Sequence, residues 1–154
     1  MRLLTRLALA GELAIFIPDL VAREFVSKYV ADAQEKLDAA HSALTDLRRK
    51  LGRGESASDE IAELLSHTTR IRGRLAEMLK HDFESWVQAS KVELLKFNPG
   101  DIDTVLDGYF NGTGPYKTAK SREDIPDAII ACCISALTKT KAPLHVAVTD
   151  KRLN

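Results

Sequence analysis

Ala14-Ile15-Phe16-Ile17-Pro18-Asp19 joins a short apolar run to a proline and an acid. Its apolar run is too short for a helix and proline stops it, so 14–17 is expected to be a buried strand of a parallel sheet. Asp19 then opens a helix as its N-cap. A strand that delivers straight into a helix is the building unit of α/β folds. Upstream, Leu3, Leu4, Leu7 and Ala10 sit at helical spacing, and Gly11 closes the helix. The basic front of that segment resembles a signal peptide, but its apolar core is short and broken by Arg6, so a folded helix is the better reading.

Downstream, Val26, Val30, Ala33, Leu37, Ala40, Leu44, Leu47 and Leu51 alternate spacings of four and three, an unbroken heptad seam. Gly52-Arg53-Gly54-Glu55-Ser56 breaks it, and Ser56 with Asp59 marks a new helix start. One second helix is expected through Ile61, Leu65, Leu75, Leu79, Phe83 and Trp86. The pair forms an antiparallel helical hairpin over about residues 20–90, read as a packing element. An intermolecular coil would satisfy the same seam, so a homodimer stays open.

The remainder returns to mixed texture. Val92–Phe97 reads as a short strand, Asn98-Pro99-Gly100 as a turn, and Asp101 as the cap of a helix through Val105, Leu106 and Tyr109. Asn111-Gly112-Thr113-Gly114-Pro115 reads as a flexible loop, and Pro126 begins a helix through Ile129, Ile130, Cys133, Ile134 and Leu137. Leu144-His145-Val146-Ala147-Val148 is expected to be another buried strand, ending at Thr149-Asp150. The fold class is therefore α/β, a small parallel sheet flanked by helices with the hairpin inserted.

Composition narrows the function. The 154 residues carry 22 Lys and Arg against 22 Asp and Glu, which argues against a generally basic nucleic-acid binder and leaves room for a local basic patch. Hydrophobic residues make up 45%, the texture of a globular protein with its own core. The two cysteines, Cys132 and Cys133, are neighbours on one helix and cannot staple it, so a reducing cytoplasm is the expected location. No run reaches the roughly 18 apolar residues of a membrane span.

Ligands of open parallel sheets bind at the carboxyl ends of the strands. Three acids fall there: Glu24 in the helix leaving the first strand, Asp127 opening the helix before the last strand, and Asp150 just after that strand. Carboxylates gathered in one place need a hard divalent cation, Mg²⁺ or Mn²⁺. Zinc is disfavoured, since no His/Cys pair has ligand spacing; His41, His67, His81 and His145 read as surface or packed residues. Each acid also has an ordinary reading: Asp127 suits a helix dipole, Glu24 a solvated helix face and Asp150 a turn. Lys117, Lys120 and Arg122 precede Asp127, and Lys151 follows Asp150, a positive rim suited to phosphates.

At these residues the chain resembles the PIN-domain nucleases, the branch with a long helical insertion. Ile17-Pro18-Asp19-Leu20-Val21-Ala22-Arg23-Glu24, Asp124-Ile125-Pro126-Asp127-Ala128-Ile129-Ile130 and Val148-Thr149-Asp150 carry the resemblance. It implies Glu24, Asp127 and Asp150 as catalytic metal-holding carboxylates, with Asp124 the nearest rival for the middle role. It implies Lys117, Lys120, Arg122 and Lys151 as nucleic-acid contacts, Mg²⁺ or Mn²⁺ as cofactor, and RNA as substrate of a toxin-like endoribonuclease with an antitoxin-type protein partner. The family's first strand, ending in Asp, has no counterpart here: residues 1 to 13 contain no aspartate. The resemblance thus implies a single domain over 1–154, incomplete at both ends, with two readings: a metal-dependent hydrolase, or a catalytically incomplete remnant that binds nucleic acid or protein.

Overall fold

The computed structural model describes residues 2–51, 56–141 and 143–147, and the chain divides along them into two compact units. One comprises Met1–Ile15 and Ala22–Glu93, the other Phe16–Val21 and Leu94–Asn154. A continuous helix and a short strand cross the boundaries, and the second unit is built from segments distant in sequence.

The first unit is helical. Helix α1, Arg2–Leu9, stops where Gly11 takes φ +77° and its N–H bonds to the carbonyl of Ala8 at 3.1 Å. Helix α2, Asp19–Leu51, runs 33 residues, about 50 Å at 1.5 Å per residue. Along its seam Val26, Val30, Ala33, Leu37, Leu44 and Leu51 are half-buried, whereas Ala40 and Leu47 are exposed. The second arm is not the single helix expected. It is α3, Ser56–Arg72, followed by α4, Leu75–Ala89. Glycine is the weakest helix former after proline, and here Gly73 ends α3. The Arg74 N–H bonds back only three residues, to the carbonyl of Ile71 at 3.0 Å, and Arg74 itself leaves the helical region at φ −120°.

Contacts across these helices descend along α2 as they ascend along α3 and α4. His41 Nδ1 lies 2.7 Å from Thr68 Oγ1, Asp38 pairs with Arg72, and the rings of Phe25 and Phe83 lie 5.6 Å apart. The two arms are antiparallel at those points. Helix α4 also meets α1, where Trp86 Nε1 and the fully buried Ser90 hydroxyl both donate to Thr5 Oγ1 at 3.3 Å.

In the second unit, β1 (Phe16–Pro18) and β2 (Glu93–Leu95) form a two-stranded parallel sheet. A 3₁₀ turn at Pro99–Asp101, in which Asn98 Oδ1 accepts from the Gly100 N–H at 3.1 Å, leads into α5, Ile102–Asn111. Helix α6, Ile125–Thr138, packs on both α5 and β1. Val105, Tyr116 and Ala128 form the buried core, with Phe97, Tyr109, Ile125, Ile129 and Cys132 around them.

The strand expected at 144–148 is corrected. Residues 144–147 adopt no strand, and Val148 lies outside the described residues. Leu144 is half-buried while His145, Val146 and Ala147 are exposed, so the alternation that anchors a strand is missing. A strand persists only beside a neighbour that completes its hydrogen-bond ladder, and the described sheet ends at β1 and β2. His145 is accordingly a solvent-facing residue rather than one inside a strand.

Candidate functional site

Helix α6 explains the placement of Asp127. Pro126 fills the start of the helix, where no intrahelical N–H is needed, and Asp127 follows in the first turn, next to the positive end of the helix dipole. Ala128, Cys133 and Leu137 are buried, and Ile125, Ile129 and Cys132 are half-buried beside them. That apolar stripe fixes the rotation of the helix and leaves the Asp127 side chain exposed. Asp124, three residues earlier and at the N-cap position, is turned the other way: it is 3% exposed. Its Oδ2 accepts a hydrogen bond from the Lys117 backbone N–H at 3.0 Å, and its Oδ1 lies 3.9 Å from Lys117 Nζ.

That contact is one of several that fasten the segment after α5, which the sequence presents as a flexible loop. Gly112 caps α5 in the left-handed region at φ +65°, donating to the carbonyl of Gly108 at 2.8 Å. A Cβ on Gly112 would meet the Ala119 backbone nitrogen at 2.7 Å, so only glycine permits this approach. Tyr116 is buried and donates its hydroxyl to the carbonyl of Val105 at 2.9 Å. Lys120, itself at φ 62°, donates its backbone N–H to the carbonyl of Tyr109. Between these anchors Lys117, Lys120 and Arg122 stand exposed. Among the described residues no carboxylate lies within ion-pair distance of Lys120 or Arg122.

Glu24 lies in the first unit, on α2, where the neighbouring Ala22 is buried and Glu24 faces solvent. Its carboxylate pairs with Lys28 one turn on, at 2.7 Å. Asp150 and Lys151 lie outside the described residues. Among the described residues no three His, Cys, Asp or Glu side chains come together as a metal cluster. The exposed Glu24 and Asp127 carboxylates are nonetheless hard oxygen donors of the kind Mg²⁺ and Mn²⁺ take. The Lys28 pair is an exposed i,i+4 contact, weak enough for a divalent cation to displace.

A cleft of about 360 Å³ in the second unit escapes the sequence reading. Helices α5 and α6 face each other there through small residues, among them Thr104, Gly108, Ala131 and Ser135, and the Gly114 loop completes its wall. Cys132 lines the cleft, and burial pushes its thiol above the ordinary value, with Asp101 adding to the shift. Burial likewise raises the neighbouring Cys133 thiol, with Cys132 and Asp101 contributing. Both therefore stay protonated, and neither is an activated nucleophile. The signal for the cleft was the run of small residues on α6, which periodicity registers only as an apolar face.

Among the described residues no helix is long and apolar enough to cross a membrane. The family model described as PIN domain matches residues 1–151. No curated protein and no solved structure matches the chain.

Proposed function

The chain belongs to the PIN-domain family, a family of nucleases, and from that premise we propose that it hydrolyses phosphodiester bonds of RNA with the help of a divalent metal. The observation that carries this reading is the exposed Asp127 at the start of α6, inside Asp-Ala-Ile-Ile, in a chain matched almost end to end by the family. Glu24, Asp127 and Asp150 would hold Mg²⁺ or Mn²⁺. The metal, when bound, supplies a nucleophilic water and stabilises charge on the phosphorus oxygens. Lys120 and Arg122 bind the backbone phosphates beside Asp127, while the Lys117 ammonium is turned toward Asp124; Lys151 would add a further cation. Base edges are not read by these contacts, so cleavage follows strand accessibility more than sequence. A toxin role with an antitoxin-type partner, a homodimer and a cytoplasmic location belong to the same reading.

A second reading has its own observation: the Glu24 carboxylate is paired with Lys28 at 2.7 Å. It makes the chain a binding module that holds RNA or a protein without cutting. One experiment separates the two. Labelled single-stranded RNA and DNA are incubated with the protein in Mg²⁺, in Mn²⁺ and in EDTA, alongside Asp127→Asn. Cleavage of RNA that is slow, metal-dependent and lost in Asp127→Asn supports the nuclease; binding with no cleavage in either metal supports the module.

A further inference from the structure

We infer that Asp124 is the positioning residue of the basic loop, fixing its path through the Lys117 backbone and neutralising the Lys117 ammonium, so that Lys120 and Arg122 supply the loop's unmatched cations. A carboxylate 3% exposed needs donors, and the Lys117 N–H at 3.0 Å is one that lies seven residues upstream. This bond closes the segment on the start of α6, the helix whose first turn carries Asp127. The Gly112 cap, the Tyr116 hydroxyl and the Lys120 N–H hold the same segment to α5. The loop is therefore anchored on both sides, with Asp124 its fastening to α6. The same carboxylate faces Lys117 Nζ at 3.9 Å, while Lys120 and Arg122 have no such partner among the described residues.

The inference rests on the nucleic-acid reading above only for its second half, and two measurements keep the halves apart. Amide hydrogen exchange of the free protein reads the fastening. Asp124→Ala should speed exchange of the Lys117 amide by about tenfold or more, and Asp124→Asn, which keeps an acceptor oxygen, by less. Should Asp124→Ala not fold, Asp124→Asn against wild type decides. Binding of a single-stranded oligonucleotide in EDTA, measured across salt, reads the charge. Releasing Lys117 in Asp124→Asn should steepen the salt slope by up to about 0.7, at most about 2.6-fold in affinity ratio between about 50 and 200 mM. Asp124→Asn combined with Lys117→Met should restore the wild-type slope, which a purely structural role would not do. A Lys117 amide indifferent to every folded Asp124 variant, or a slope unchanged in Asp124→Asn, overturns the inference. If wild type binds no oligonucleotide while the Lys117 amide responds, the nucleic-acid reading fails and the fastening stands.

Discussion

The ring of Tyr116 lies so close to Gly108 that a Cβ there would stand 2.9 Å from its Cε2. The ring cannot simply swing away, because it is buried and its hydroxyl is bonded to the Val105 carbonyl. Gly108→Ala should therefore lose about 1–2 kcal/mol of stability, overpacking outweighing the gain of about 1 kcal/mol in helix propensity. Urea unfolding of the two proteins checks the sign; a more stable variant would show that the α5 packing is looser than described.

Gly73 should behave in the opposite way. A Cβ there meets only the Arg70 and Thr69 carbonyls at ordinary van der Waals distance, and its φ is not in the left-handed region. Gly73→Ala is expected to gain about 0.5–1 kcal/mol by restoring helix propensity between α3 and α4. Helical circular dichroism should not fall.

Leu44 is half-buried on the seam face of α2. Leu44→Asp should cost about 1–3 kcal/mol by placing a charge on that face, equally at every protein concentration. Thermal unfolding over a hundredfold concentration range, paired with sedimentation, decides. Conversion of a stable dimer into a folded monomer would identify the seam as a subunit interface.

Stability should fall in alkali. Burial is the main cause raising the Cys132 and Cys133 thiols and the Tyr116 phenol. In the unfolded chain these groups ionise near about 8.5 and 10. Their contribution is complete below those values and is lost as pH rises toward the higher folded ones. Urea midpoints at pH 7, 9 and 10 should decline in that order, and Cys132→Ser should flatten the step at pH 9. A midpoint rising with pH would contradict the burial of these groups.

Lys28 competes with any cation for Glu24, its carboxylate partner at 2.7 Å. If Glu24 holds metal, Lys28→Ala should lower the Mn²⁺ concentration for half-maximal effect by about twofold, the scale of an exposed pair. Titration of Mn²⁺ against intrinsic fluorescence or cleavage reads it, with Glu24→Gln abolishing the difference.

Local pattern was legible where neighbours in sequence are also neighbours in space. Helix α2, the stop of α1 before Gly11 and the start of α6 around Pro126 follow from helical spacing and backbone preference alone. So does Asp127 in the first turn, and the helix rotation that exposes it comes from Ile125, Ala128 and Ile129 just beside it. The expected strand at 144–148 failed over residues 144–147 for the opposite reason: a strand is defined by a ladder partner that its own residues do not encode.

Asp124 and Asp127 mark the division most sharply. They are the same residue type three positions apart, and the sequence offered both for one role. Folding alone turned Asp124 to the interior, because burying a carboxylate requires donors, and the Lys117 backbone arrives there only after the chain has rounded Gly112 and seated Tyr116. Helical spacing and backbone preference set α1, α2, α5 and α6 and the outward turn of Asp127, whereas the path of the folded chain chose which acid builds the loop.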